Sequence, residues 1–241
     1  KLGLGIKHDV PMSAITTGLV PSREWKLNNR EQEWLVGDTV NASIGQGYVL
    51  SSPLQLAVMA ARLASGRNVK PILTKSINGQ NIHNLKSIEN VDIKKSYLKV
   101  IRKALFQASN DRRGTAYGSR VINDAYRMAG KTGTSQVRNI TDAEREKGVT
   151  KNEDLPWKRR DHGLFINFAP YNKPEIAVSV VVEHGGAGSK SAAPIARDIT
   201  LQALFKGKPP LEVYPAKDRP AVLEQQNKLG EVLKELEMFR K

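Results

Sequence analysis

The apolar positions of this chain change period along its length, and each change marks an element. Ser52-Pro53-Leu54-Gln55 sets a hydroxyl, a proline and, three residues after the hydroxyl, a glutamine at the head of an alanine-rich run. That is a capping box with proline in the first helical position, and it predicts a helix to about Ala64. Apolar residues lie nearly all round this helix, which places it in a core. A second helix is predicted from about Ile93 to Ala108, where Tyr97, Leu98, Ile101, Ala104, Leu105 and Ala108 recur at helical spacing. At about 100° per residue, Ser96, Lys99 and Lys103 fall on its opposite, solvated side.

From Thr132 the pattern turns to strands: TGTSQV, HGLFINF and IAVSVVV, the last two joined by the turn-rich PYNKP. These predict an antiparallel sheet. The 21 residues from Ile140 to Arg160 are charged and aperiodic, and are expected to form a long surface loop between the first two strands. A glycine-rich turn, GGAGS, leads to a helix from about Ala193 to Phe205. After Gly207, KPPLEVYPAKDRP has four prolines in 13 residues and reads as an extended linker. In the last helix Leu229, Val232, Leu236 and Phe239 recur at gaps of three and four, a seam expected to dock on the parent domain rather than on another chain. The opening 50 residues read as irregular loops with short pieces of structure.

Composition narrows the function classes. A chain of 241 residues with 39% apolar content has enough material for a core, which excludes disorder throughout. No run approaches the roughly 18 apolar residues of a membrane helix, so the chain is expected to be soluble. The absence of cysteine excludes a disulfide scaffold, a thiol nucleophile and thiolate zinc sites. The net charge of +14 suits an anionic partner: nucleic acid, a membrane surface or a polyanionic polymer. The charge is spread along the chain and aromatic content is 6%, which argues against nucleic acid. A non-enzymatic basic module that binds nucleic acid or an anionic wall or membrane polymer is the alternative reading. The missing start Met and the immediate LGLG turn point to the downstream part of a longer protein.

Candidate chemistry centres on Ala129-Gly130-Lys131-Thr132-Gly133-Thr134 at the head of the first strand. Gly133, without a side chain, lets a peptide backbone lie alongside the strand and add itself by main-chain hydrogen bonds. Lys131, Thr132 and Thr134 offer an ammonium and two hydroxyls to an anion such as a C-terminal carboxylate. Strand alternation puts Lys131 and Gly133 on one side and Thr132 and Thr134 on the other, so twist or a bulge is expected to make them converge.

Together with GLVPSREWK, GQGYVLSSPLQLAVMAARLA, GTAYG and HGLFINFAPYNKPEIAVSVVVEHGGAGSKSAAPIAR, the AGKTGTSQV strand resembles the C-terminal half of a class B penicillin-binding protein transpeptidase domain, nearest the elongation-type penicillin-binding protein 2 branch. The resemblance spans about residues 2–205. It implies an α/β (α+β) fold, an antiparallel sheet flanked by helices as in serine transpeptidases and β-lactamases, with residues 1–206 as part of the transpeptidase domain and 207–241 as linker and C-terminal helix. The activity it implies is D,D-transpeptidation of peptidoglycan. Its implied partners are a stem peptide ending in D-Ala-D-Ala, β-lactams and a membrane glycan polymerase, at the periplasmic face of the inner membrane. No cofactor, metal or nucleic acid is implied. It assigns Lys131 to electrostatic and proton-network support, Thr132 and Thr134 to the ligand carboxylate, Gly133 to an open strand edge, the backbone around Thr134 to the oxyanion hole, and the Gly114-Thr115-Ala116 turn to the wall of the site.

The family also uses Ser-x-x-Lys and Ser-x-Asn, and this sequence aligns only with its third motif, Lys-Thr-Gly. Ser96-Tyr97-Leu98-Lys99 and Ser76-Ile77-Asn78 match the first two spellings, but in inverted order. With 15 serines and 22 lysines, about one accidental Ser-x-x-Lys is expected. A lysine serves as a base only where burial or a neighbouring charge disfavours its ammonium form, and Lys99 falls on the solvated face. No catalytic nucleophile is therefore assigned, and the chain alone is expected to be inactive. EHGGAGSKSAAP resembles a phosphate loop but fails the Walker spelling, because Ser189 separates Gly188 from Lys190. Gly185 or Gly186 keeps at most a minor role near substrate. His162 reads as structural, and His8, His83 and His184 lack metal-ligand spacing.

Overall fold

The computed structural model describes residues 1–81 and 88–238. In chain order the elements are α1 (Arg23–Arg30), α2 (Val36–Ser43), α3 (Pro53–Ser65), β1 (Ser76–Ile77), β2 (Gln80–Asn81), α4 (Lys95–Asn110), β3 (Ala129–Ser135), α5 (Asp142–Lys147), β4 (His162–Ala169), β5 (Ile176–Val182), α6 (Gly188–Phe205) and α7 (Arg219–Met238). The central sheet is antiparallel in the order β3-β4-β5. Its register runs unbroken from Ala129 opposite Phe168 to Ser135 opposite His162, and from Gly163 opposite Val182 to Ala169 opposite Ile176.

The period of two along β4 builds the layers. Phe165, fully buried, packs with Ala192, Ala193, Ala196 and Leu201 of α6. On the other face Phe168 packs with Ala129, Ala64 of α3 and Leu105 and Phe106 of α4. The result is a helix–sheet–helix sandwich. Asn167 points to the α6 side and gives its Nδ2–H to Thr200 Oγ1 at 2.8 Å, which satisfies a donor in an otherwise apolar layer.

The capping box at Ser52 forms as read: Ser52 Oγ accepts from Gln55 N–H and Gln55 Oε1 accepts from Ser52 N–H. Gln55 does more. Its buried Nε2 donates to Ile6 O at 2.9 Å and Thr17 O at 2.7 Å, tying the irregular N-terminal segment to α3. On α4, Ser96, Lys99 and Lys103 are exposed as expected, and Leu98 is buried. Tyr97 is not part of the core face. It is 58% exposed, with the Lys94 ammonium over its ring.

Three segments depart from the sequence expectation. Residues 140–160 hold α5 and two short 3-10 turns, at Asn152–Asp154 and Trp157–Arg159, in place of a featureless loop. Glu144 is the hub there: it completes a capping box with Thr141 and takes both Nη1–H and Nη2–H of Arg138. The Arg138 guanidinium, together with Thr141 and Thr150, holds the Glu144 carboxyl far below the usual carboxylate range. A depressed folded-state pKa gives ordering that is present above the ordinary value and lost as pH falls through the lowered one. Amide protection factors across 141–150, measured against the intrinsic exchange rate at each pH, are therefore expected to hold from pH 7 down to about pH 4 and to fall only below that. A fall already between pH 6 and 5 would contradict the assignment.

The second departure is α6, which starts at Gly188 and carries Pro194 inside it, five residues before the expected start. The third is the proline-rich stretch. It makes 3-10 turns at Leu211–Val213 and Ala216–Asp218 and buries Val213 and Tyr214 in the main core beside Val222 of α7. The first turns of α7 dock on the domain, with Gln226 Nε2 donating to Pro209 O at 2.9 Å. Leu229 and Val232, the head of the expected seam, are 45% and 49% exposed. Phe239 and His83 lie outside the described residues.

Candidate functional site

β3 is an edge strand of its sheet among the described residues, and its outward-facing backbone groups define the candidate site. Strand parity puts the carbonyls of Gly130, Thr132 and Thr134 on the free edge, with Gly133 facing Leu164 across the ladder. The edge is used along its length. Asn110 Nδ2 donates to Met128 O at 2.9 Å and Ser109 Oγ to Gly130 O at 3.5 Å, which fixes the buried end of the strand to α4. Farther along, Lys131 Nζ donates to Thr132 O at 2.8 Å and Gln46 Nε2 to Thr134 O at 2.8 Å. The N–H groups of Thr132 and Thr134 have no hydrogen-bond partner among the described residues.

The convergence expected from a twist or bulge has a different cause. The register contains no bulge. The Lys131 side chain leaves the sheet face and curls round the free edge, where Nζ also lies 3.4 Å from Thr132 Oγ1. A long flexible side chain does what the backbone does not. Thr132 Oγ1 sits 3.1 Å from Thr115 Oγ1, in the Gly114-Thr115-Ala116 turn that follows α4. That turn folds back onto the helix end because Gly114 has no Cβ: one there would run into Ala108 O and lie 2.5 Å from Gln107 O. The family resemblance puts this turn at the wall of a site, and the Thr115–Thr132 contact adds a partner that it does not imply.

The two glycines of the strand differ. A Cβ on Gly130 would run into Ile166 O and the Phe165 ring, so packing alone demands glycine there. A Cβ on Gly133 would meet only Leu164 Cβ at 3.4 Å, an ordinary contact. Packing leaves position 133 free. Behind it Gly188, at the head of α6, lies against Gly133 O and the Leu164 backbone.

The remaining candidates lie apart from this edge. Ser96 and Lys99 are exposed near the start of α4, whereas β3 is anchored by residues 109 and 110 at the other end of that helix. Ser76 belongs to the exposed β1–β2 hairpin, with Asn78 in its turn at φ +48°. His162 Nδ1 accepts from His184 N–H at 2.9 Å and the two rings meet edge to face, which ties the start of β4 to the end of β5. Among the described residues no group of three or more His, Cys, Asp or Glu could hold a metal ion, and no helix is long and apolar enough to cross a membrane.

The family described as Penicillin binding protein transpeptidase domain matches residues 1–201. The chain is similar to the peptidoglycan D,D-transpeptidase MrdA of Acinetobacter baumannii, 34% identical over 204 residues that make up 81% of this chain and 29% of the relative. It is also similar in structure to PBP2 of Pseudomonas aeruginosa, solved in complex with WCK 5153, with TM-score 0.70 and 34% identity over 90% of this chain and 44% of that one. A chain from a structure on the coordination of polymerization and crosslinking by a peptidoglycan synthase complex gives TM-score 0.63 and 30% identity over 85% of this chain and 31% of that one. The chain spans 29–33% of the length of the curated relatives first matched. Antiparallel sheet, flanking helices and the ordered motifs agree with these likenesses, and the chain belongs to the penicillin-binding protein transpeptidase domain family.

Proposed function

We propose that this chain is the Lys-Thr-Gly half of a periplasmic peptidoglycan D,D-transpeptidase of the cell-elongation type, and that the free edge of β3 receives the D-Ala-D-Ala end of a stem peptide or the β-lactam that mimics it. The observation that carries this reading is the crowding of Lys131 Nζ, Thr132 Oγ1 and Thr115 Oγ1 on an exposed strand edge with two unpartnered N–H groups. An extended peptide gains main-chain hydrogen bonds from such an edge, and its carboxylate finds the ammonium and hydroxyls beside it. In the family reaction a serine attacks the D-Ala-D-Ala carbonyl, D-Ala leaves, and an amine captures the acyl group. The edge supplies ligand placement, Lys131 charge, and the unpartnered Thr134 N–H a donor for the developing oxyanion.

The serine is not among these residues, so the complete reaction belongs to this chain together with a segment carrying Ser-x-x-Lys. The surface supports that division. Val36, Val40 and Ile44 follow one another at i, i+4 and i+8 along and just beyond α2, and are 82%, 57% and 69% exposed. A monomer does not leave such a stripe in water without use, and the complementary half of the domain is its proposed cover. A membrane glycan polymerase is the proposed partner of the assembled protein, by likeness to the synthase-complex chain.

The test has two arms. The purified chain is expected to retain no fluorescent penicillin after denaturation, and labelling that disappears on Ser96→Ala would overturn the assignment of roles. By amide NMR the chain is expected to bind an N-acetylated tripeptide ending in D-Ala-D-Ala at millimolar concentration, with shifts at Thr132 and Thr134. Lys131→Ala should weaken that binding about tenfold by removing a charge-assisted contact. Gly133→Ala should leave thermal stability within about 1 kcal/mol of wild type while weakening the peptide. Shifts confined to other parts of the chain would sink the reading.

A further inference from the structure

We infer that Gln46 is an affinity-determining residue of the edge: its carboxamide occupies, in the free chain, the place that a ligand's amide must take at the Thr134 carbonyl. This inference rests on the proposed reading of the β3 edge as the peptide site. Gln46 lies between Gly45 and Gly47, both in left-handed backbone at φ +75° and +69°. Only glycine adopts that conformation at low cost on both sides of a residue. The turn is held by Gln46 N–H donating to Asn41 O at 2.9 Å, and by Ile44 and Gly45 N–H donating to Asn41 O and Ala42 O at 3.2 and 3.1 Å. The Cβ that glycine lacks at position 47 would crowd Asn41 Cβ at 3.2 Å. The result is a tight turn that aims one side chain across 88 residues of sequence at Thr134 O, 2.8 Å away.

The chemistry of the contact is that of a missing strand. A carboxamide is the side-chain equivalent of a peptide group, and Gln46 Nε2–H meets Thr134 O as the N–H of a neighbouring strand would. An unprotected edge is a template for pairing with any extended chain, and native proteins cover such edges. Gln46 covers this one at a single bond, and Lys131 covers the adjoining Thr132 carbonyl from the other side. Neither cover is covalent or buried. An extended ligand therefore exchanges the Gln46 bond for its own, and its net gain at that position is reduced by about the value of one exposed hydrogen bond. Gln46 thus weakens every ligand of the edge by the same factor, and a ligand needs a further anchor, such as a carboxylate for Lys131, to offset it.

The experiment is the same NMR titration with the N-acetylated D-Ala-D-Ala tripeptide, on the full chain, with Gln46→Ala. The expected result is a Kd lowered about fivefold in the variant, with the Thr134 carbonyl shift of the free variant moved away from its ligand-bound position, because the carbonyl has lost its donor until the peptide supplies one. A tripeptide ending in an amide, which has no carboxylate for Lys131, displaces the same Gln46 bond and should tighten by the same factor, so that discrimination between the two peptides is unchanged in the variant. Gln46→Met keeps the side-chain length, removes the donor and should bind the tripeptide as tightly as the alanine variant, which shows that loss of the donor and not a loosened turn is the cause. Binding by wild type that is unchanged or weaker in both variants overturns the role of Gln46 alone. Absence of peptide binding in wild type and variants alike overturns the reading of the edge, and this inference with it.

Discussion

Gly188→Ala is expected to cost about 3 kcal/mol of folding stability or more and to displace the candidate site although it touches none of its side chains. The added methyl would run into the Leu164 carbonyl and lie 2.7 Å from Gly133 O and 2.9 Å from Leu164 N. These are ladder atoms of β3 and β4, opposite each other in the sheet, so no side-chain rotation relieves the clash. Either α6 lifts from the sheet or the ladder opens at position 133. A lifted α6 loosens Ala192, Ala193 and Ala196 against Phe165, all fully buried. An opened ladder moves the strand that carries Lys131 and Thr134. For a chain of this length the stability loss corresponds to a fall in Tm of roughly 6–12 °C. Calorimetry reads the loss, and amide shifts at Gly133, Thr134 and Leu164 read the displacement. Gly133→Ala, one residue on the other side of the same contact, is the control: its methyl meets an ordinary neighbour and should cost little. Equal costs at 188 and 133 would show that close packing of α6 on the ladder is not what glycine serves there.

The same glycine shows why part of the fold was legible in the sequence and part was not. Periods of two and of 3.6 residues, with a capping box at Ser52, are local signals, and they carry the sheet, α3 and α4. Gly188-Ser189-Lys190-Ser191 looks local too, and reads as a flexible turn. Its real constraint is contact with a strand more than 20 residues away, which no window over the sequence contains. The prolines after Gly207 misled in the same way: they forbid regular structure, but Val213 and Tyr214 between them fill the core beside α6. In the 140–160 segment the signal was present and outweighed. Thr141 and Glu144 spell a capping box, but six helical residues without an apolar period carry no weight until Arg138 closes on Glu144. At the site, residue types and strand placement were legible at positions 131–134. The path of the Lys131 side chain, the Thr115–Thr132 contact and the reach of Gln46 were not, because each depends on where a turn remote in sequence comes to rest.

Arg197→Ala is expected to destabilise the chain by about 3 kcal/mol at neutral pH, with the C-terminal segment released first. Arg197 sits in the middle of α6 with its side chain only 3% exposed. Nε donates to Asp198 Oδ1 at 2.8 Å, Nη1 donates to Asp218 Oδ2, and the guanidinium lies 5.0 Å from the Tyr214 ring centre. Burial alone would lower the guanidinium pKa. The hydrogen bonds and charges of Asp198 and Asp218 outweigh it and hold the group above its ordinary value. Burial raises the Asp198 carboxyl and pushes the Tyr214 phenol up to about 12. Removing the arginine strands two carboxylates beside an apolar core. They are 36% and 27% exposed, and water relieves part of the cost, which sets the estimate at the lower end of the range for broken buried pairs. The sign of the pH dependence follows. An aspartate whose folded-state pKa is raised stabilises the fold when protonated and loses that contribution as pH rises through the raised value. Without Arg197 the rise is larger, so the gap between wild type and variant should narrow as pH falls from 7 to about 4. Denaturant melts at those two pH values measure the gap, and cleavage near residue 219 under limited proteolysis reports release of α7. Arg197→Met combined with Asp198→Asn and Asp218→Asn removes the stranded charge and should recover most of the loss at pH 7. A gap that stays constant with pH, or a triple variant no more stable than Arg197→Ala, would show that packing of the arginine stem rather than its charge holds the C-terminal segment to α6.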